Sequence, residues 1–302
     1  MDDLEASLRE VPGWSDASMS IRPLAGGITN RNYTVVVEGR SYVVRIPGER
    51  TEVLGINRIH ELEATQRAAD LGIAPPIVAR LPGHTTLITE LVAGSHAADD
   101  ADFIRPPRLE SIVSLLQQFH RSGEIAGQFP IFRVVEWHAR DAALNGVEPP
   151  PLFHWLHERS EHIETAFAAA PVPPVPCHND LLPANVLFDG DRVWLLDFEY
   201  AGMNDLFFDL GNLSANSSFD AGTDRRLLEL YFGASTDARW ARLQLMKIMS
   251  EFREGMWAVV QQAISSLDTD FVGYANERLG RCRALVEQAP FDDWLRAASA
   301  AV

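Results

Sequence analysis

The segment that most constrains this chain is CHNDLLPANVLFDGDRVWLLDFEY, residues 177–200. Two short apolar runs, residues 186–188 and 193–196, flank Asp189-Gly190-Asp191. An Asp-Gly pair between apolar runs is a strong hairpin signal, because a tight hairpin turn needs positive φ and these residues tolerate it. The polar residues lie just before the first run and just after the second. A hairpin therefore brings His178, Asp180 and Asn185 close to Asp197. The fold must present a small two-stranded unit with a polar cluster at one end.

Taken singly, each of these residues has an ordinary structural reading. Asp180 and Asn185 could cap turns, and Asp197 could cap a helix. All three around one hairpin suit a phosphoryl-transfer centre. Such a centre needs oxygen ligands for magnesium and a carboxylate beside the attacking hydroxyl. Asn185 and Asp197 suit the metal roles, and Asp180 suits the hydroxyl-orienting or base role.

The remainder of the chain divides in two. Residues 1–20 read as a short helix and a Pro-Gly turn. Strand patterns follow from residue 21, with a hairpin between 32–37 and 41–46 turning at Glu38, Gly39 and Arg40. Residues 57–70 read as a helix with Ile59, Leu62 and Ala69 on one face, closed by Leu71-Gly72 and followed by Pro75-Pro76. Strands are expected near 77–81 and 86–90. This predicts a small β-rich lobe over residues 1–93, and residues 94–302 then form a larger, mainly helical lobe entered through a connector. Leu109, Ile112, Val113, Leu116 and Phe119 recur at helical spacing. Helices are also expected at 152–170, 223–233, 238–266 and 270–289. The fold class is α+β, in two lobes.

Composition narrows the function. The formal net charge is -16, with 42 acidic residues against 26 basic ones. That surface repels nucleic acid and anionic lipid headgroups and tolerates a cationic small molecule. The two cysteines, Cys177 and Cys282, are too few for a disulfide scaffold or a zinc cluster. The acidic start MDDLEASLREVPGW has no signal-peptide pattern. No stretch approaches the roughly 18 apolar residues of a membrane helix. The expectation is a cytoplasmic protein without nucleic-acid partners or membrane insertion; a homodimer is left open.

His178-Asn179-Asp180 through Asn185, followed by Asp197-Phe198-Glu199, closely resembles the choline and ethanolamine kinase family, within the aminoglycoside phosphotransferase superfamily. The resemblance runs from Gly26-Gly27 to the helix at Trp257 and implies a two-lobed protein-kinase-like fold with ATP and Mg2+ as cofactors. It implies that Asp180 is the catalytic carboxylate, that Asn185 and Asp197 hold magnesium, and that His178 and Asp209 support the loop. Gly26, Gly27, Thr29 and Asn30 match the phosphate-covering loop. Arg45 matches the cation that meets the nucleotide phosphates, with Glu61 favoured over Glu63 as its acidic partner. Glu90 and Val92 fall in the adenine-facing hinge. Asp180, Glu199, Tyr200 and Trp257 match the acceptor pocket, with Trp137 a further aromatic candidate.

The acceptor implied is a small cationic alcohol, with choline ahead of ethanolamine, since aromatic faces suit a quaternary ammonium. Two departures bear on it: Glu254 and Asn216 stand where eukaryotic choline kinases carry tryptophan and glutamate. Other acceptors on the same fold are an aminoglycoside, thiamine or a sugar. A catalytically inactive nucleotide-binding protein is the reading from another class; its mark would be loss of Asp180, Asn185 or Asp197.

Overall fold

The computed structural model describes residues 2–24, 30–81, 86–103, 105–190, 192–288 and 290–301. The smaller lobe begins with α1 (Asp2–Leu8). Its sheet is formed by β1 (Met19–Leu24), β2 (Asn30–Val37), β3 (Arg40–Pro47), β4 (Ile77–Arg80) and β5 (Leu87–Glu90). Helix α2 (Arg58–Asp70) lies between β3 and β4. The strands run antiparallel in the order β1-β2-β3-β5-β4. The β2–β3 hairpin turns where expected, with Glu38 at φ 48° and Gly39 at φ 78°.

Strand alternation sorts the sheet's two faces. Val35, Val37, Tyr42, Val44 and Ile88 are buried with Leu8, Val11 and Trp14 from the N-terminal segment. Asn30 and Arg45 have the opposite parity and look toward the larger lobe. The purely local hairpin thus sets the direction of the Arg45 side chain.

Helix α2 forms as expected, but its buried face differs. Glu61, Ala64, Thr65 and Ala68 are buried, whereas Ile59 is 71% exposed. Ala64 and Ala68 join the core of the larger lobe with Leu54, Ile56 and Ile73. Small side chains let the helix approach closely, and the buried glutamate answers a cation on the sheet. An apolar-face rule cannot register either requirement.

The larger lobe opens with β6 (His96–Ala97), inside the expected connector, and α3 (Asp100–Phe103). Then come α4 (Pro106–His120), α5 (Ile131–Leu144) and α6 (Leu152–Ala169). The predicted apolar face of α4 is buried along its length. Four short strands follow: β7 (Val175–Cys177), β8 (Val186–Asp189), β9 (Arg192–Leu195) and β10 (Gly202–Asn204). The β8–β9 hairpin forms as predicted, and β6 adds to its free edge in the order β6-β8-β9. Strands β7 and β10 pair separately.

The chain ends with α7 (Leu206–Asn216), α8 (Ala221–Phe232), α9 (Asp237–Ile264), α10 (Phe271–Gln288) and α11 (Phe291–Ala298). Helix α9 is the axis of this lobe and buries Arg242, Lys247, Glu251, Arg253 and Glu254 along with its apolar residues. Gly211 permits the α7–α9 crossing, since a Cβ there would lie 2.7 Å from the Met246 carbonyl carbon. No helix among the described residues is long and apolar enough to cross a membrane.

Candidate active site

The loop after β7 is fixed by side chains rather than by regular structure. Both carboxylate oxygens of Asp209 accept backbone N–H groups, from His178 and Asn179, each at 2.7 Å. Asn212 Oδ1 accepts the Leu181 N–H at 2.5 Å. Asn179 sits at φ 64°, and its amide donates to the Tyr200 carbonyl at 3.0 Å while accepting from Asn204 at 2.8 Å. A left-handed non-glycine residue is costly, and this network holds it in place. His178 donates from Nε2 to the Leu196 carbonyl at 2.8 Å and accepts the Asp180 N–H at Nδ1. Burial lowers its pKa, which suits this neutral tautomer. His178 and Asp209 therefore tie the loop together.

Asp180 is buried, with each oxygen engaged. Oδ1 accepts from Arg253 Nη1 at 3.1 Å, and Oδ2 accepts from Asn185 Nδ2 at 3.1 Å. Asn185 Nδ2 also donates to the Asp180 carbonyl at 2.9 Å. Burial pushes the carboxyl up to about 8, and the Arg253 guanidinium opposes that shift.

Facing this loop is a charged cluster drawn from both lobes. Arg45, on β3, pairs with Glu61 of α2 and with Asp197, which follows β9. Arg58 donates to Glu61 at 2.7 Å and to Glu199 at 3.1 Å. Asn30 Nδ2 reaches Glu199 at 3.1 Å and Asp197 at 3.5 Å. Asp197 is at φ 63°, a second left-handed non-glycine residue in the site. Glu199 is buried, and burial raises its pKa.

On the α9 side, Trp257 Nε1 donates to the Tyr200 hydroxyl at 2.9 Å. The Arg253 guanidinium lies over the Tyr200 ring, 4.2 Å from its centroid, and pairs with Glu254. Tyr274 donates to the second Glu254 oxygen at 3.1 Å. Buried charges paired in this way hold one another in register. A cavity of about 180 Å³ adjoins Glu199 and Tyr200 and is lined also by Phe129, Trp137, His138 and Asp141.

Residues 20–246 match the model of the phosphotransferase enzyme family. The chain belongs to that family. A choline/ethanolamine kinase family protein from Mesorhizobium loti has a solved structure 30% identical to this chain. It aligns over 99% of this chain and 98% of its own, with a TM-score of 0.84. Protein LicA of Haemophilus influenzae is 25% identical over 276 residues, covering 88% of this chain and 79% of LicA. Ethanolamine kinase 2 of Mus musculus is 27% identical over 302 residues, covering 89% of this chain and 77% of the kinase.

The phosphotransferase fold gathers most of the residues singled out in the sequence. Asn30, Arg45, Glu61, Asp197 and Glu199 meet in one cluster, with Asp180 and Asn185 across from it. Glu61, not Glu63, meets Arg45; Glu63 instead accepts the Ala126 N–H at 3.1 Å. Gly26, Gly27 and Thr29 lie outside the described residues. Glu90 closes β5, its N–H given to the Pro76 carbonyl at 3.0 Å, and the Val92 carbonyl accepts the Ser95 hydroxyl at 2.8 Å. Trp257 is buried against Tyr200, whereas Trp137 is 40% exposed.

Sequence reasoning missed several participants. Arg58 stands one helical turn before Glu61, a spacing that puts both on one face. Arg253 interrupts an apolar stretch of α9 beside Glu254, which the sequence already singled out, and such a buried cation deep in a helix signals partners. His120, which meets Asp209 at 3.0 Å and the Tyr231 hydroxyl at 2.6 Å, left no comparable mark.

Proposed function

We propose that this phosphotransferase moves the γ-phosphoryl group of ATP to the hydroxyl of a small cationic alcohol, choline or ethanolamine. The observation that carries the reading is Asp180. It is a buried carboxylate with both oxygens fixed, facing a charged cluster built around Arg45. The similarity to proteins named choline/ethanolamine kinase and ethanolamine kinase supports the acceptor class.

Asp180 orients the acceptor hydroxyl and takes its proton as the O–P bond forms. Burial raises its pKa and the Arg253 guanidinium opposes that shift, keeping the carboxylate available as the proton acceptor. Arg45 is a pre-positioned forked cation, and its role is to meet the nucleotide phosphates. Asn30 ties β2 to Glu199 and to Asp197, so closure of the lobes and placement of the carboxylates are one event. Gly26, Gly27 and Thr29 belong to the phosphate-covering segment on this reading, and Glu90 and Val92 to the adenine-facing hinge.

Asn185 and Asp197 fit a hard cation. The amide nitrogen of Asn185 is committed to Asp180, so its free donor is an oxygen, and Asp197 offers a carboxylate. Asn185 and Asp197 would hold Mg2+, which would supply neutralising charge to the transferred phosphoryl group. Catalysis by this chain's own residues is then mostly positioning and electrostatics. An ADP-release assay over choline, ethanolamine, thiamine, an aminoglycoside and a sugar tests the reading. Turnover of an amino alcohol supports it, and turnover of the sugar or the aminoglycoside alone overturns the acceptor class.

A further inference from the structure

Six side chains from both lobes close into a ring. Arg45 pairs with Asp197 on one side and with Glu61 on the other. Glu61 accepts from Arg58 Nη1 at 2.7 Å, and the same nitrogen donates to Glu199 at 3.1 Å. Glu199 accepts from Asn30 Nδ2 at 3.1 Å, and that amide also reaches Asp197 at 3.5 Å, which closes the circuit. Asn30 and Arg45 come from β2 and β3, Arg58 and Glu61 from α2, and Asp197 and Glu199 from the segment after β9. Three carboxylates share two guanidinium groups, so a change at one link is passed to its neighbours.

Arg58 and Glu61 are the two members that meet neither substrate in the proposed reaction. Glu61 answers Arg45, whereas Arg58 needs another account. It is the first residue of α2, directly behind the N-cap Asn57. A cation there opposes the helix dipole, so the helix itself gives no reason for it. Its partners do. The side chain is 11% exposed, and besides the two glutamates its Nη2 donates to Thr51 Oγ1 at 3.0 Å and to Asn30 Oδ1 at 3.4 Å. A planar fork serves that set of acceptors, and an ammonium does not. Glu199, at the far end of the fork, looks toward the acceptor side. It adjoins Tyr200 in the cavity wall, and its charge is felt at Asp180, where it disfavours the ionised carboxylate.

We propose that Arg58 is a positioning residue that links the two substrate sites through this ring: when nucleotide phosphates draw Arg45 out, Arg58 shifts toward Glu61 and leaves the charge of Glu199 to the cationic acceptor, so each substrate tightens the other. The inference rests on the amino-alcohol reading above and concerns how its two sites communicate. Glu61 loses one of its two cations when Arg45 turns to the phosphates, and a buried carboxylate is costly without a partner. Arg58 Nη1 already serves both glutamates, so what Glu61 gains Glu199 loses. Glu199 keeps the Asn30 amide and attracts a positive head group more strongly. Linkage makes the effect reciprocal between nucleotide and acceptor. An uncharged alcohol gains nothing from it.

Calorimetry on the full chain tests this, with ethanolamine and choline as acceptors and a non-hydrolysable ATP analogue with Mg2+ as the nucleotide. In the parent, saturating analogue should lower the acceptor Kd by roughly five- to tenfold. The uncharged isostere of choline, 3,3-dimethylbutan-1-ol, should show no such gain. In Arg58→Gln, which keeps an amide donor and loses the charge, the ratio of the two Kd values should fall toward unity. Arg58→Lys keeps the charge without the fork, so its melting temperature should recover fully and the ratio only in part. A purely structural role would lower the melting temperature, or the binding-competent fraction read from the stoichiometry, and leave the ratio unchanged. That outcome would overturn the inference and leave the amino-alcohol reading in place. So would an equal gain for the neutral isostere, or a parent whose acceptor affinity ignores the nucleotide. If Arg58→Gln unfolds, Arg58→Lys carries the comparison. Binding of neither amine beside turnover of a sugar would overturn both.

Discussion

Asp180 and Arg253 are 73 residues apart in the chain, and their carboxylate and guanidinium meet at 3.1 Å inside the larger lobe. The pair joins the loop after β7 to the central helix α9. Arg253 also holds Glu254 and covers Tyr200, so one side chain links the candidate base, a second carboxylate and the aromatic wall. Burial opposes its charge, yet Glu254 and Asp180 outweigh that and hold the guanidinium's pKa above its ordinary value.

Removal of this link is the first prediction. Arg253→Met leaves two carboxylates buried without their cation, a change that typically costs about 3–5 kcal/mol. The urea midpoint should fall with little change in m, and kcat should fall with it. A variant as stable as the parent would mean that Asp180 and Glu254 find other partners.

Asp180→Asn keeps the shape of the side chain and removes the carboxylate. Turnover should drop by ~100-fold or more, the usual weight of a positioned base. Binding of a non-hydrolysable ATP analogue, read by calorimetry, should survive. Near-normal kcat would remove Asp180 from the proton-transfer role.

The elements legible in the sequence were those fixed by local rules. Asp189-Gly190-Asp191 marked the β8–β9 hairpin because the turn residues themselves carry the conformation. Leu109 through Phe119 marked α4 because its partners are uniformly apolar. Where a residue's environment is built by distant chain, local pattern misled. Ile59 is exposed and Glu61 buried because Arg45 and Arg58 sit opposite Glu61. The strand β6, two residues long, exists only because β8 offers it an edge. Trp257 and Tyr200 meet through a hydrogen bond, yet the cation over Tyr200 comes from this chain's own Arg253, which no spacing rule along α9 could assign to Asp180. His138 was invisible for the same reason: a histidine on an amphipathic helix gives no sign of an unpartnered Nδ1.

His138 makes stability depend on acidity. Its folded pKa, about 3, lies below the ordinary histidine value of 6.5, so the unfolded chain binds the extra proton between those limits. Stability contributed by the neutral ring is fully present above pH 6.5 and is lost as pH falls toward 3. The slope approaches ~1.4 kcal/mol per pH unit for one proton. Urea midpoints measured from pH 7 to 4.5 should therefore fall more steeply for the parent than for His138→Leu. The difference between the two curves isolates this group from carboxylates such as Asp205, which burial raises to about 6 and which act in the opposite direction. Parallel curves would show that His138 titrates alike in the folded and unfolded states.

The pair Glu61 and Glu63 separates a buried, doubly paired glutamate from a neighbour two residues away. Glu61 is buried and shared by Arg45 and Arg58, and Arg45 in turn holds Asp197. Glu61→Gln keeps the volume but halves the countercharge, freeing Arg45 to move toward Asp197 and Glu199. The nucleotide should then meet a displaced cation, and KM for ATP should rise by about tenfold, equivalent to ~1.4 kcal/mol. Glu63 accepts the Ala126 N–H at 3.1 Å near the surface. Glu63→Gln can keep that contact through its amide oxygen, so its kinetics should match the parent, with a stability change within about 1 kcal/mol. Steady-state kinetics on the two variants, with ATP varied at saturating acceptor, reads the contrast directly. Equal effects at both positions would show that the Arg45–Glu61 pair has no bearing on the nucleotide, and a larger effect at Glu63 would move the nucleotide-facing partner to the other side of α2.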